Sequence, residues 1–483
     1  MNRSAIASSS LAALLLSGCM VGPKYVKPNV PLAPNYKEST AATSNFKEDA
    51  NWHPAQPADA ALRGDWWTIF HDPELNQLEP KVAAENQNLK AAEARFREAR
   101  ALIQFNRSNL SPTIGTSPAA IGERESANRP YFTSTSSNTA DTQLPLDLNY
   151  EIDVWGRIRH GVNAAREEAQ ASAADMQTAL LSLQAELAMD YFEARSADAE
   201  EKLLQDTVKD YEDAYRITNN RFEGGVAPQS DVDQARTQLE AARVEVSDVT
   251  LVRAQYEHAI AVLLGQPPAT FSLPATPLDA RPPAIPIGLP SELLERRPDI
   301  AAAERRVAEA NDRIGIARAA YFPAISLNGA IGYESAALST LLSRSSFLWA
   351  VGPTLSETFF DAGRRRSASE QAQAAYDETV ANYRQTSLTA FQQVEDNLTA
   401  LRVLNQEALH QRQATKSAQG AQQIFNNRYV GGIDTYLQVV TAQTTALINE
   451  RNDIDIMRRQ MDASVLLIKA LGGGWNTTNL PKL

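Results

Sequence analysis

The sequence predicts a mainly helical chain with membrane β-structure, in which four strands per chain contribute to a twelve-stranded β-barrel continued by a long α-helical barrel. Three observations support this fold class. Two proline-free stretches, 157–221 and 364–428, would each form a helix of roughly 100 Å at about 1.5 Å per residue. Segments between the helices alternate apolar and polar residues, which indicates strands. Motifs recur at a fixed offset, so two internal structural repeats are predicted.

The composition excludes several classes of protein. The chain has 483 residues, a net charge of −12 and 43% hydrophobic residues, so it is neither disordered nor basic enough to indicate a nucleic-acid partner. Its five histidines show no metal-ligand spacing. No phosphate-binding glycine loop and no nucleophile–base arrangement stands out. We therefore predict no enzyme activity, no metal and no cofactor apart from a covalent lipid.

The N-terminus predicts export and lipidation. Residues 1–18 form a signal peptide, in which Arg3 precedes an apolar run that ends in Leu16-Ser17-Gly18-Cys19. Cys19 is the only cysteine, and its position matches a bacterial lipobox, so we expect diacylglycerol and palmitate on it. More than one acyl chain gives stable anchoring. Met20, rather than aspartate, favours the outer membrane. A chance cysteine in an ordinary signal peptide is the alternative.

Residues 19–72 are predicted to be a lipid-anchored tether, and 73–266 the first repeat. Asp72 and Pro73 suit the start of a helix, which is expected to end near residue 110. A strand hairpin follows at about 112–154, where Pro145 indicates a poorly paired or edge position. The long helix 157–221 and a helix at 230–264 complete the repeat, with Ser230 as a candidate cap. The proline-rich residues 267–290 are expected to form an extended linker rather than core.

The second repeat is predicted at 291–472, before a tail at 473–483. It comprises a helix at 291–321, strands at about 323–360, the long helix 364–428 and a helix at 435–471. Asn220-Arg221-Phe222-Glu223-Gly224-Gly225 corresponds to Asn427-Arg428-Tyr429-Val430-Gly431-Gly432, an offset of 207 residues. Two short helices stacked end to end match one long helix in length, as a tube of even height requires.

The strands impose a second constraint. Their length, about ten residues, suits membrane barrel strands, but a bilayer allows no open edge and known barrels need at least about eight strands. Several copies must therefore pool strands, and three copies would supply twelve. Aromatic residues at the strand-to-helix junctions are expected at the membrane–water interface, with core packing as the alternative. These are Tyr150, Trp155, Phe359 and Phe360.

Four motifs resemble a known family. LSGCMVGPKYVKP, WWTIFHDPELNQL, LPSELLERRPDIAAAE and NNRYVGGIDTYLQVVTAQ together resemble the TolC-type outer-membrane efflux ducts, in the OprM and NodT lipoprotein branch. The resemblance implies a homotrimer in the outer membrane that extends into the periplasm. It also implies a periplasmic adaptor and an inner-membrane pump, usually of the resistance–nodulation–division class. Drugs or other small toxic compounds would leave through the lumen without chemistry.

The resemblance also implies a gate at the periplasmic tips. It places a hydrophobic gate at Leu437, for which ordinary helix packing is the alternative. The family often has acids at the positions of Gln438 and Thr441, both neutral here. The remaining candidates for negative charge are Asp434, Asp231 and Asp233, for which helix N-capping is the alternative interpretation.

Two other functions are compatible with the helices. One is a periplasmic coiled-coil lipoprotein scaffold, and the other is a type I protein-secretion duct. The alternating strands favour a membrane channel over a scaffold, because a scaffold does not need a lipid-facing sheet. Near the predicted membrane surface, the run Arg364-Arg365-Arg366 is expected to contact acidic lipid headgroups or neighbouring chains, with surface solvation as the alternative.

Overall fold

The computed structural model describes residues 20–38, 64–124, 126, 138–278, 282–285 and 292–483. The predicted signal peptide and Cys19 lie outside this part of the chain. The helices are α1 (Leu75–Glu85), α2 (Gln87–Ser108), α3 (Arg157–Glu223), α4 (Gln229–Leu263), α5 (Leu293–Arg296), α6 (Pro298–Ala319), α7 (Arg364–Val430) and α8 (Tyr436–Ala470). The strands are β1 (Thr113–Gly115), β2 (Ala119–Arg124), β3 (Asn138–Glu151), β4 (Ala324–Ser335) and β5 (Phe347–Ser356).

The helices form a wall of four columns. Two of them are the long helices α3 and α7, each of 67 residues, which corresponds to roughly 100 Å. Helix α3 packs against α2 and α6 along one part of its length, and against α4 and α8 along the other. Helix α7 packs against α6 and α8. The column order is therefore α2 with α4, then α3, then α6 with α8, then α7.

The helix predicted from 74 to 110 is wrong as a single element, because it breaks at Asn86. The Asn86 backbone is extended (φ −62°, ψ 127°), and its Oδ1 accepts hydrogen bonds from the N–H groups of Asn88 (2.9 Å) and Leu89 (3.1 Å). Its Nδ2 donates to the carbonyl of Leu263, at the end of α4 (2.8 Å). Asn86 thus caps α2 and joins it to the helix stacked on it.

The second half contains the equivalent break at Arg297. The helix predicted from 291 to 321 is interrupted there, because Pro298 excludes helical backbone from the residue before it. Arg297 Nη1 donates to the carbonyl of Ala470, at the end of α8 (3.0 Å). Both breaks therefore lie where two short helices stack. At each one a glycine touches backbone, since a Cβ at Gly265 would lie 2.5 Å from the Glu85 oxygen and one at Gly472 would collide with the Arg296 oxygen.

The strands form one antiparallel sheet. β1 and β2 both pair with β3, which pairs with β4, which pairs with β5. The sheet is thus four strands wide, with the predicted first strand split in two. Pro145 lies opposite the gap between β1 and β2, where its carbonyl accepts a hydrogen bond from Thr116 Oγ1 (2.7 Å). In an antiparallel strand the N–H and C=O of one residue point to the same side. The N–H that Pro145 lacks would therefore point into this gap, where no strand residue needs it as a donor.

The sheet has one apolar and one polar face. On the apolar face, Leu146 lies opposite Ile331, which lies opposite Trp349, and all three side chains are exposed. On the other face, Asn328 Nδ2 donates to Thr354 Oγ1 (3.0 Å). A continuous exposed apolar face marks an interaction surface. Within the described residues, no helix combines the length and hydropathy needed to cross a bilayer.

The largest core lies midway along the wall, around α1 and α3. The rings of Phe70 and Phe192 lie 5.0 Å apart, and Trp66 is fully buried beside them. The proline-rich segment was not expected to contribute core, but Leu273 is buried in this cluster. The Thr276 N–H also donates to Asp198 Oδ2 on α3 (2.8 Å). The described part of this segment is therefore fixed to the wall.

Glu79 on α1 gives a pH-dependent prediction. Its side chain is fully buried with no hydrogen-bond partner among the described residues, and burial raises the pKa of this carboxyl to about 9. The folded state thus holds a proton that the unfolded chain releases near pH 4.5. The free energy of unfolding therefore falls as the pH rises between these two values, by up to about 1.4 kcal/mol per pH unit.

We expect Glu79→Gln to unfold at a higher temperature than the natural chain, by a margin that grows from pH 5 to pH 9. The amide has the shape of the protonated acid and carries no charge at any of these pH values. Thermal unfolding followed by circular dichroism measures the difference. Glu85→Gln, at an exposed position of the same helix, is the control. A margin that does not change with pH would contradict the assignment.

Candidate functional site

Two regions could carry function: the two helix-connecting turns, called the tips, and the two sheet-to-helix connections, called the junctions. The tips are residues 221–229 between α3 and α4, and 428–436 between α7 and α8. The junctions are residues 151–159, before and into α3, and 357–366, before and into α7. The long helices separate the two regions by roughly 100 Å.

An aromatic cluster joins the tips. Tyr429 and Tyr436 are both buried, with ring centroids 5.3 Å apart. Ala235 of α4 and Val439 and Val440 of α8 pack around them. Tyr429 OH also donates to Thr218 Oγ1 of α3 (3.4 Å). The α3–α4 and α7–α8 hairpins are therefore held together at their ends.

Arg221 ties the same two hairpins by a polar contact. Its Nη1 donates to the carbonyls of Tyr429 (3.1 Å) and Val430 (3.4 Å), the last residues of α7. Its guanidinium carbon lies 4.7 Å from the centroid of the Tyr429 ring. A cation at the carboxyl end of a helix is also favoured by the helix dipole. Arg221 belongs to the repeated tip motif, but the motif alone does not indicate that this residue contacts the other hairpin.

The corresponding arginine of the second half behaves differently. Arg428 forms an ion pair with Asp434 in its own turn, so the gate candidate Asp434 is already neutralised by a neighbour. The residue at the position of Asp434 in the first half is Ala227, so Arg221 has no acid at the position where Arg428 finds its partner. This difference is consistent with Arg221 reaching the other hairpin.

The remaining acidic candidates lie in the first turns of α4. Asp233 accepts a hydrogen bond from Gln229 Nε2 (3.0 Å). Burial raises the pKa of Tyr436, and the nearby charges, among them Asp231, add to that shift. The expected capping by Ser230 is wrong, because α4 begins at Gln229 after Pro228, with no side-chain cap.

Leu437 is 56% exposed in the first turn of α8, so packing within its own chain does not account for it. Gln438 and Thr441 are exposed on the same helix. The Thr441 hydroxyl donates to the Leu437 carbonyl (2.9 Å). The first two turns of α8 therefore present one large apolar side chain and two neutral polar ones.

The junction aromatics divide into two kinds. Trp155 stacks on Phe322 at 4.7 Å and donates through Nε1 to the Pro323 carbonyl (2.8 Å), while Tyr150 is half-buried in β3. Phe359 and Phe360 are 93% and 85% exposed. Trp155 therefore braces the junction, whereas the two phenylalanines point away from their own chain.

The first described residues of the N-terminal segment also reach the first junction. The Val21 N–H donates to the Trp155 carbonyl (3.0 Å), and Met20 packs directly on Gly156. Cys19, which is not among the described residues, is the residue immediately before Met20. The predicted lipid attachment point is therefore one residue from a fixed contact at the junction.

An acidic cluster lies in the wall between α3 and α8. Arg458 pairs with Glu193 (2.5 Å) and Asp462 (3.1 Å). Burial raises the pKa of Asp462 to about 7, and the Glu193 charge adds to it. Burial likewise raises the pKa of Asp190 to about 7, with repulsion from neighbouring glutamates. Both carboxyls thus titrate near neutral pH at the contact between these helices. Within the described ranges, no group of three metal-ligating side chains is suited to hold an ion.

Comparison with known proteins gives a consistent result. The model of the family described as outer membrane efflux protein matches residues 78–266 and 289–473. The toluene efflux pump outer membrane protein TtgC of Pseudomonas putida is 34% identical over 472 residues, which cover 97% of this chain and 95% of the relative. Outer membrane protein OprJ of Pseudomonas aeruginosa is 33% identical over 474 residues, which cover 97% and 96%.

Solved structures agree with these relatives. The outer-membrane channel OprN superposes with a TM-score of 0.85 at 30% identity, over 95% of this chain and all (100%) of that one. The open state of the Neisseria gonorrhoeae MtrE outer membrane channel gives 0.81 at 27% identity, over 95% and 99%. The predicted family, the mainly helical fold and the outer-membrane location are confirmed. This chain belongs to the outer membrane efflux protein family, and it is a passive channel of an efflux system rather than an enzyme.

Proposed function

We propose that three copies of this chain form one exit duct, a twelve-stranded barrel in the outer membrane continued by a helical barrel across the periplasm. Drugs or other small toxic compounds would enter it from a periplasmic adaptor and an inner-membrane pump of the resistance–nodulation–division class. The names of relatives support this substrate class, since they include an antibiotic efflux pump outer membrane protein and a toluene efflux pump outer membrane protein.

The observation that carries this proposal is the open sheet. β5 pairs on one side with β4 alone, and β1 and β2 pair with β3 alone, so both edges are free among the described strands. In lipid, an unpaired strand edge costs several kcal/mol per group, and known barrels need at least about eight strands. The edges of identical copies can satisfy each other head to tail, which closes a ring.

The helical wall supports the same closure. Helix α7 ends the wall on one side, and the column of α2 and α4 ends it on the other. Both ends carry exposed apolar side chains, including Phe105 on α2 and Leu388 and Leu409 on α7. Burying such side chains against the next copy would stabilise the assembly. The free edges of the sheet and the two ends of the helical wall would therefore both be covered by further copies of the chain.

A lipid anchor on Cys19 fits this arrangement. The proposal is supported by Met20, the residue that follows Cys19 in the sequence, because Met20 packs on Gly156 at the first junction. Acyl chains on Cys19 would then enter the membrane close to this contact. Cys19→Ser should lose all label from radioactive palmitate, and a variant that still incorporated it would contradict the anchor.

At the tips we propose a closed gate, in which Arg221 and the tyrosine cluster hold the hairpins together and Leu437 narrows the lumen. The exposure of Leu437 leaves it free to meet the same residue of other copies. With Gln438 and Thr441 neutral and Asp434 paired, negative charge at this level would come from Asp231 and Asp233.

The experiment that tests the proposed function is complementation. A Gram-negative strain that lacks its own efflux channel accumulates ethidium, and this chain, expressed with its adaptor and pump, should lower the accumulation several-fold. The pump and adaptor without the chain are the control. Equal accumulation with and without the chain, despite its presence in the outer membrane, would contradict the function.

A further inference from the structure

We propose that the second junction, residues 357–366, binds the phosphate headgroup of an anionic phospholipid at the periplasmic surface of the outer membrane. The inference rests on the membrane placement of the sheet proposed above. It arises from a difference between the two junctions of the same chain: both begin their long helix with Gly-Arg, but the first has no net charge and the second has a net charge of +1.

In the first junction, the positive charges of the two arginines are balanced by nearby carboxylates. Arg157 forms two hydrogen bonds with the Glu151 carboxylate, from Nε (2.9 Å) and Nη2 (2.6 Å). Arg159 pairs with Asp153 through Nε (3.1 Å). Each arginine at the start of α3 thus has its own carboxylate, and no cationic charge remains for a ligand.

The second junction lacks those carboxylates. At the offset of 207 residues, Arg364 and Arg366 correspond to Arg157 and Arg159, whereas Thr358 and Phe360 stand where the first half has Glu151 and Asp153. Arg364 has no carboxylate partner in the described part of the chain. The two basic side chains at the start of α7 therefore lack the carboxylates that their counterparts have at the start of α3.

The nearby acids do not replace them. Asp361 and Glu357 both pair with Arg365 (2.7 and 3.1 Å), whose guanidinium also lies 5.6 Å from the Tyr321 ring. Arg366 contacts Glu370, but this pair is largely exposed and neutralises little. Arg365 thus holds the junction, while Arg364 and Arg366 present their charge outward.

An exposed aromatic pair lies beside these charges. Phe359 and Phe360 follow the apolar face of β5, whose last large side chain, Leu355, is also exposed. The order from apolar strand through aromatic residues to basic residues matches the order from bilayer core through interface to headgroups. Arginine binds phosphate oxygens through two parallel N–H groups. A phospholipid would place its acyl chains on the phenylalanines and its phosphate on Arg364 or Arg366, since residues two apart lie on different sides of a helix, while the other arginine adds to the local positive charge.

The experiment measures lipid retention by native mass spectrometry. The purified complex is exchanged into detergent with phosphatidylglycerol, or with zwitterionic phosphatidylcholine for comparison. We expect Arg364→Gln with Arg366→Gln to weaken phosphatidylglycerol binding about 25-fold, at about fivefold for each arginine near the surface. Phosphatidylcholine retention should hardly change. Arg344→Gln is the matched control, because Arg344 is exposed at the opposite end of the sheet.

A second variant uses the first junction as its template. Thr358→Glu with Phe360→Asp restores the acids of the first half, and should reduce phosphatidylglycerol retention by a similar factor while the arginines stay in place. Unchanged retention in both double variants would overturn the proposal, as would an equal loss in Arg344→Gln. Displacement of the lipid by millimolar inorganic phosphate would assign the site to free phosphate instead.

A separate readout distinguishes this inference from the proposed function. Brominated lipid should quench the Trp349 signal, obtained as the difference from Trp349→Phe, in the natural chain and in both double variants. Loss of headgroup binding with quenching retained supports the junction site. Absence of quenching in the natural chain would overturn the membrane placement itself.

Discussion

Arg221→Ala is expected to open the channel. The substitution removes two hydrogen bonds to the last carbonyls of α7 and the contact with the Tyr429 ring. Hydrogen bonds from a charged donor contribute about 1.5–3 kcal/mol, and about 1.4 kcal/mol is tenfold in an equilibrium. The open population should therefore rise tenfold or more. Single-channel recording in planar bilayers measures it as longer open times and larger conductance.

The control for this prediction lies in the other tip. Arg428→Ala removes an ion pair within one turn and leaves the contact between hairpins intact, so it should change the open time far less. The same recordings test Leu437→Ala, which should increase conductance if Leu437 narrows the lumen. Equal effects of Arg221→Ala and Arg428→Ala would contradict the proposal that Arg221 holds the two hairpins together. An unaltered conductance in Leu437→Ala would contradict the proposal that Leu437 narrows the lumen.

Trp349→Arg is expected to abolish assembly in the outer membrane. Trp349 is 68% exposed at the centre of the apolar sheet face, opposite Ile331. A basic side chain on the lipid face of a barrel costs about 2–4 kcal/mol near the midplane, and three copies would carry it at once. We expect most of the variant to be missing from the outer-membrane fraction on immunoblots.

The neighbouring residue supplies the matched control. Ala350 lies on the polar face of the same strand, opposite Ala330, so Ala350→Arg should reach the membrane in near-normal amounts. If Ala350→Arg were excluded and Trp349→Arg were inserted, the assignment of the two faces would be reversed.

The sequence was most informative where local covalent structure decides the outcome. The alternation of apolar and polar residues around Leu146 predicted a strand, because successive side chains of a strand point to opposite faces. Pro145 predicted a gap in the pairing of that strand, because proline has no backbone N–H to donate. The helix breaks were missed for two different reasons. Arg297 precedes Pro298, and this local signal disfavours helical backbone at Arg297. Asn86 is fixed by a hydrogen bond to Leu263, 177 residues away, which no local pattern reveals.

The functional contacts were harder to predict because they depend on which helices become neighbours. Arg221 and Tyr429 are 208 residues apart, and the repeated motif shows both without showing that they meet. The sequence does contain one indication of these contacts: an arginine that has an acidic partner in one repeat lacks that acid in the other. Ala227 replaces the acid that Arg428 finds in Asp434, and Phe360 replaces the acid that Arg159 finds in Asp153. Comparing the repeats position by position for missing partners would have selected both sites.

The stoichiometry of the purified particle tests the account most directly. In the part of the chain that the structure describes, the sheet has two free edges and an exposed apolar face, and in a membrane such edges need further copies to close them. Native mass spectrometry in mild detergent should give a mass of three chains. A particle of one chain that retains the β-sheet signal in circular dichroism would contradict the shared barrel.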